Sequence, residues 1–246
     1  MATAIAPSKP LETQAPAPPA IPPLENGDRL TRAEFERRYD AMPDLKKAEL
    51  IEGIVYMGSP VSASKHGSPH FDMIGWLYLY KAMTPGLVGF DNASARLDLD
   101  NMPQPDVSLI ISPACGGQAR ISEDDYIEGA PELVAELASS SASYDLHVKL
   151  NVYRRDGVRE YVVWRARDKK IDWFILREGE YERLPIGPDG IYRSEVFPGL
   201  RLDPAALIEG GSLRGAEVAR QGVESPEHAA FVARLRERAE AANRNA

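Results

Sequence analysis

Two acidic residues stand beside or within apolar segments that are typical of β-strands. Asp106 precedes the run VSLII, and Glu136 interrupts the run ELVAELAS. An unpaired carboxylate inside an apolar strand either costs a large desolvation energy or takes up a proton, so it needs a partner. If the two strands are neighbours, the carboxylates approach each other. Paired oxygen ligands on rigid strands suit a hard divalent cation such as Mg²⁺.

A lysine follows on the next segment, which the sequence predicts to be a helix ended by Gly157. Lys149 lies one turn after Asp145 and one turn before Tyr153, so these three side chains share a helix face. Lys149 stands at the edge of the apolar stripe, from which it can reach back over the strand of Glu136. Serines 139–141 near the start of the helix are candidate caps.

Glu49, in the segment KAELIEG, is another carboxylate beside apolar residues. Each of these candidates also has an ordinary structural explanation. Asp106 could cap a turn, Glu136 could lie on a solvated sheet face, and Glu49 is more often structural than catalytic. A helical lysine such as Lys149 usually extends along the surface into water.

Two histidines, His66 and His70, stand four residues apart, a spacing that can bind zinc on one helix face. Ser68 and Pro69 lie between them, which argues against a continuous helix there. We therefore favour a turn-capping role for His66 over metal binding.

The chain of 246 residues carries a formal net charge of -8, whereas nucleic-acid binders usually show a basic footprint. Residues 141–171 nevertheless hold eight Lys or Arg and four Asp or Glu, a local net charge of +4. A phosphate-binding face and a solvated helix end explain this segment about equally well. Its candidate phosphate contacts are Arg154, Arg155, Arg159, Arg165, Arg167, Lys169 and Lys170.

The single cysteine, Cys115, excludes an internal disulfide and a multi-cysteine metal site. No apolar run approaches the ~20 residues of a membrane-spanning helix. The N-terminus also lacks the features of a secretory signal. These observations predict a reducing, cytoplasmic setting.

The order of predicted helices and strands indicates an α+β domain with a mixed sheet. Residues 131–164 form a strand–helix–strand unit, which predicts two parallel strands joined by a right-handed crossover. Residues 1–26 are rich in Pro and Ala and are expected to be disordered. A domain is expected over residues 27–210, followed by a weakly anchored helical tail over 211–246.

An ordered set of motifs resembles a known family. ELIEGIVYMGSP, then His66, then PDVSLII, then PELVAELASSS and YDLHVKLNVYRRDGVREYVVW occur in the order found in the Uma-type family of restriction-like endonucleases. That family belongs to the PD-(D/E)XK nuclease superfamily. The resemblance covers about residues 30–207 and is specific as an ordered set, although each piece alone is common.

The resemblance implies a restriction-endonuclease-like core, a central mixed sheet flanked by helices. It further implies hydrolysis of DNA phosphodiester bonds with Mg²⁺ or Mn²⁺ held by Asp106 and Glu136. Lys149 would replace the lysine that other superfamily members place two residues after the glutamate, where this chain has Ala138. Glu49 matches the acidic residue that often completes such catalytic sites.

DNA is the partner that the resemblance implies, with no membrane. We also expect a homodimer, since cutting both strands of a duplex usually takes two active sites. A second hypothesis is a nuclease fold that no longer cuts and serves as a binding or scaffold module. The acidic net charge and the absence of a recognisable DNA-reading motif favour that alternative.

Overall fold

A computed structural model describes residues 20–58, 61–138 and 142–245 of the chain. The strands are β1 Ala48–Ile51, β2 Ile54–Met57, β3 Leu87–Asp91, β4 Ala95–Arg96, β5 Val107–Ile111, β6 Arg120–Ile121, β7 Ile127–Glu128, β8 Leu133–Ala138, β9 Glu160–Arg165, β10 Lys170–Arg177, β11 Glu180–Arg183, β12 Tyr192–Arg193 and β13 Arg201–Leu202.

The helices are α1 Arg32–Asp40, α2 Ser68–Ala82, α3 Ala142–Tyr144, α4 Leu150–Asp156, α5 Pro204–Ile208, α6 Ser212–Val223 and α7 Pro226–Asn245. A π-helical turn, Ala63–Gly67, leads directly into α2, and a second one, Asp145–Lys149, joins α3 to α4. No helix in these described ranges is long and apolar enough to cross a membrane.

A six-stranded sheet forms the centre of the molecule, in the order β11-β10-β9-β8-β5-β3. The strands β8 and β9 run parallel, and every other neighbouring pair in this sheet is antiparallel. The predicted mixed sheet and the predicted parallel pair at residues 131–164 are therefore confirmed. Apolar runs such as VSLII are buried throughout, as expected for central strands covered on both faces.

The register of the central strands decides which polar residues meet. Val107 of β5 lies opposite Ala135 of β8. The antiparallel pairing therefore brings Asp106, which precedes β5, opposite Glu136. On the other side of β8, Glu136 lies opposite Val163 of β9.

A helical segment returns the chain from β8 to β9. Gly157 ends it in the left-handed region at a φ of 88°, as the sequence predicted. The predicted serine caps at residues 139–141 lie outside the described residues. The π-helical turn Asp145–Lys149 buries both of its end residues, and this turns Lys149 towards the sheet.

The core extends further towards both chain ends than the sequence suggested. Phe231 and Leu235 of α7 are buried in the main apolar cluster, so the expectation of a weakly anchored C-terminal tail is wrong. Near the other end, Leu24 is 3% exposed and packs with Phe35 and Leu50. The disorder expected over residues 1–26 therefore does not extend to Leu24, and residues 1–19 lie outside the described ranges.

A buried carboxylate fastens the loop after β12 to the sheet. Glu160, at the start of β9, is fully buried and accepts hydrogen bonds from Ser194 Oγ at 2.7 Å, from Glu195 N at 2.9 Å and from Val196 N at 3.1 Å. Burial raises the pKa of Glu160, although these three donors oppose the shift. The carboxyl group thus binds its proton more tightly in the folded chain than in the unfolded chain.

Replacing this carboxylate tests its role in stability. Glu160→Ala leaves the Ser194 hydroxyl and two backbone N–H groups without their acceptor, so we expect the free energy of unfolding at pH 7 to fall by about 2–4 kcal/mol. Urea unfolding measures the change. Glu160→Gln is the matched control, because its amide oxygen still accepts from the backbone, and it should keep most of the stability.

The same control also tests the sign of the pKa shift. A raised pKa gives Glu160 a stabilising contribution that is complete below about pH 4.3 and is lost as the pH rises through the folded-state value. The side chain at position 160 in the Glu160→Gln variant has no ionisable group. Its stability relative to the parent should therefore increase from acid to neutral pH, and a constant difference across that range would contradict the assignment.

Candidate active site

Four charged side chains that the sequence singled out are buried at one end of the central strands. Glu49, Asp106, Glu136 and Lys149 are each 7% exposed or less. They come from β1, from the residue before β5, from β8 and from the π-helical turn before α4. Residues up to 100 positions apart thus meet at one place.

Lys149 bridges two of the carboxylates. Its Nζ lies 2.8 Å from Glu49 Oε1 and 2.8 Å from Glu136 Oε1. The helical segment therefore folds back over β8. Burial lowers the pKa of the Lys149 ammonium, but Glu136 and Glu49 raise it by more, so the group stays charged.

Glu136 is held from two further directions. Tyr153 OH donates a hydrogen bond to Oε1 at 2.9 Å, and Asp106 N approaches Oε2 at 3.4 Å. Burial raises the pKa of Glu136, whereas the Lys149 ammonium at 2.8 Å opposes this shift and favours the ionised carboxylate. Oε2 has only this one long contact within the described residues, so it retains acceptor capacity.

Glu49 is fixed by the chain that leads into β5. Gln104 N donates to Glu49 Oε1 at 2.7 Å, the same oxygen that Lys149 contacts. The Gln104 side chain turns the other way, and its Nε2 donates to Asn92 O at 2.6 Å. Its Oε1 atom is buried and accepts no hydrogen bond from the described residues.

Asp106 is held by a different cation from the one that holds Glu136. Its Oδ2 accepts from Leu137 N at 2.8 Å, and its Oδ1 accepts from Lys47 Nζ at 2.9 Å. Burial raises the pKa of Asp106, but Lys47 and the Leu137 N–H lower it by more, so the net pKa is below its usual range. Lys47 Nζ also donates to Asn92 Oδ1 at 3.1 Å.

Lys47 is the member of the site that sequence reasoning missed. A signal was present, because Lys47 lies two residues before Glu49 and alternate residues of an extended strand point to the same side. With Lys47 included, the carboxylates of Glu49, Asp106 and Glu136 meet two ammonium groups, a formal charge of 2 − 3 = -1 for these five groups, and the buried Asp145 adds a further negative charge nearby. Such a cluster is tolerated in an interior only when its members are paired and hydrogen-bonded.

The two histidines border this cluster without forming a metal site of their own. Helical structure continues from the π-helical turn Ala63–Gly67 across Ser68 and Pro69, so the expectation of a break between the two histidines is wrong. His70 Nε2 lies 3.1 Å from Asp106 O, and the rings of His66 and His70 are 5.5 Å apart. The turn-capping role of His66 stays a prediction.

The donor set fits magnesium better than a closed zinc site. Within residues 20–58, 61–138 and 142–245, no group of three or more His, Cys, Asp or Glu is arranged to hold a metal ion. A cation here would take Asp106, Glu136 and oxygens of water or substrate. Mg²⁺ binds in this way, through one or two carboxylates while keeping several waters.

Several residues of the predicted basic face form ion pairs with acidic residues of the same chain. Three of its arginines form ion pairs, namely Arg154 with Glu180, Arg155 with Glu52 and Arg165 with Asp172. Arg167, Lys169 and Lys170, at the turn between β9 and β10, are exposed. None of these three forms an ion pair with a described residue.

The mixed sheet with its flanking helices is the fold of a nuclease-like α/β domain. A crystal structure described as "a putative nuclease belonging to DUF820", from Anabaena variabilis, matches with a TM-score of 0.53 and 16% sequence identity. The match covers 70% of this chain and 96% of the other. At this identity the likeness shows a shared fold.

A family model identifies the chain more closely. The model described as "Uma2: Putative restriction endonuclease" matches residues 32–205, so the chain belongs to the Uma2 family. Membership of this family supports a nuclease function. No curated protein matches the chain.

Removal of the bridging lysine tests the pairing. Lys149→Ala leaves Glu49 and Glu136 buried without their shared cation, so we expect the free energy of unfolding to fall by about 3–5 kcal/mol at pH 7. Urea denaturation provides the measurement. The exposed Lys46→Ala serves as the matched control and should change stability by less than about 0.5 kcal/mol. Equal stability of Lys149→Ala and the parent would show that the bridge contributes nothing.

Proposed function

We propose that this protein is a Mg²⁺- or Mn²⁺-dependent endonuclease that hydrolyses phosphodiester bonds in DNA. The observation that carries the proposal is the buried contact of Lys149 with Glu136, opposite Asp106, in a member of a restriction-endonuclease family. Asp106 and Glu136 would hold the cation. When bound, such a cation polarises the phosphate and lowers the pKa of a water molecule.

Lys149 supplies a fixed positive charge for the reaction. Two of its three N–H donors go to Glu49 and Glu136. Because the described residues offer the third N–H no acceptor, we assign it to the attacking water or to a phosphate oxygen. A preorganised ammonium in a site shielded from water stabilises developing negative charge without having to reorganise.

Glu49 and Tyr153 are positioning residues in this proposal. Glu49 contacts the Lys149 ammonium together with Glu136, and Gln104 N fixes Glu49 in turn. Tyr153 OH fixes one oxygen of Glu136, which leaves Oε2 for the cation. Each supporting contact thus limits the movement of a group that would touch the metal or the phosphate.

DNA is proposed as the substrate because exposed cations lie at the same end of the sheet as the carboxylates. Ala138 at the end of β8 pairs with Arg165 at the end of β9, and the exposed Arg167, Lys169 and Lys170 follow directly. Such residues suit contacts to a phosphate backbone, which position a duplex without reading its sequence. Cutting both strands would take two sites, so a homodimer stays a prediction.

Plasmid cleavage tests the assigned roles. Purified parent protein should nick or linearise supercoiled DNA in Mg²⁺ or Mn²⁺ and lose activity in a chelator. Asp106→Asn, Glu136→Gln and Lys149→Met should each lower the rate by at least about 100-fold. Glu237→Gln, an exposed carboxylate on α7, is the control and should cut like the parent. Variants of Asp106 and Glu136 that cut at the parental rate would overturn the assignment.

A charge reversal tests the proposed DNA face. Lys170→Glu should weaken duplex binding and reduce the slope of log K against log salt by about one. Fluorescence anisotropy at several salt concentrations measures both quantities. Arg236→Glu makes the same charge change on α7, which packs against residues 113–115 beyond the far end of β5, and it should have little effect. Equal effects of the two variants would argue against a localised face.

A second candidate function is a binding module that does not cut. It is favoured by the two lysines, which pair with all three carboxylates and so neutralise much of their charge. Calorimetric titration with Mn²⁺ distinguishes the candidates. Binding that is lost in Asp106→Asn favours the nuclease, and no binding at millimolar Mn²⁺ together with uncut, bound DNA favours the module.

A further inference from the structure

The two lysines of the site differ in how firmly they are held. The Lys149 side chain is 4% exposed and lies between two buried carboxylates. The Lys47 side chain is 31% exposed, and its ammonium has one carboxylate partner, Asp106, and one amide partner, Asn92. The Lys47 ammonium can therefore reach water once another cation takes its place on Asp106, whereas the Lys149 ammonium is enclosed.

Lys47 occupies the oxygen of Asp106 that a metal would need. The other oxygen, Oδ2, is taken by the backbone N–H of Leu137 inside the sheet. Oδ1 accepts only from Lys47 among the described residues. A divalent cation on Oδ1 and an ammonium on the same oxygen would repel each other strongly in a site of low dielectric constant.

Resting on the proposed function, we propose that Lys47 is a resident counter-ion that a divalent cation must displace from Asp106 Oδ1 before the site is loaded. The lysine neutralises a buried carboxylate where it lies on Asp106. On loading, its four-carbon side chain swings outward, and Asn92 loses its ammonium partner. The affinity of the protein for the metal is lowered by the contact that must be broken.

Calorimetric titration of the full chain with Mn²⁺ alone provides the test. Lys47→Met removes the competing charge and keeps most of the side-chain volume. It should bind Mn²⁺ at least about tenfold more tightly than the parent. Lys46→Met, the exposed neighbour, should bind as the parent does.

A second variant keeps the test decisive if Lys47→Met fails to fold. Lys47→Gln keeps a donor for Asp106 and removes the charge, so its affinity for Mn²⁺ should lie between the other two. Differential scanning fluorimetry gives an independent readout. Added Mn²⁺ should raise the melting temperature of Lys47→Met and Lys47→Gln by more than that of the parent, since tighter binding to the native state stabilises it more.

The outcomes separate this inference from the proposed function. Unchanged or weaker Mn²⁺ binding in both Lys47 variants, with binding abolished by Asp106→Asn, would overturn the counter-ion role and leave the metal site standing. No Mn²⁺ binding by the parent or by either Lys47 variant at millimolar concentration would overturn both proposals. Tighter binding in both variants supports the displacement.

Discussion

The pairing of buried charge is the constraint on which this structure depends. A carboxylate placed in a low-dielectric interior must be protonated or must meet a cation and hydrogen-bond donors. Here Glu49, Asp106 and Glu136 meet Lys47 and Lys149 at the end of the central strands. Removing any one member leaves its partners uncompensated, so the elements that supply them are tied together.

That constraint explains several features of the fold that apolar packing alone does not. The chain that leads into β5 is held to β1 by the Gln104 N–H on Glu49, in addition to the backbone bridge between Leu50 and Met102. The π-helical turn before α4 carries Lys149 inward, and Tyr153 one turn later reaches the same carboxylate. The register of β5 against β8 brings Asp106 opposite Glu136.

The fold class and most residues of the candidate site could be predicted from the sequence, because both depend on local patterns. Apolar strands, the Gly157 stop and the position of Lys149 on a helix are properties of short segments. Lys47 was missed because its partner Asp106 lies 59 residues away and is reached through the tertiary fold. The anchoring of α7 was missed for a similar reason, since only the folded core provides the surface that buries Phe231 and Leu235.

The central proposal for this cluster is that a divalent cation displaces Lys47 from Asp106. A crystal soaked with Mn²⁺ and measured for anomalous scattering addresses this claim most directly. We expect a manganese peak in contact with one oxygen each of Asp106 and Glu136, with Lys47 turned away and Lys149 in place. A crystal that shows no peak there, with Lys47 still on Asp106 at millimolar Mn²⁺, would contradict it.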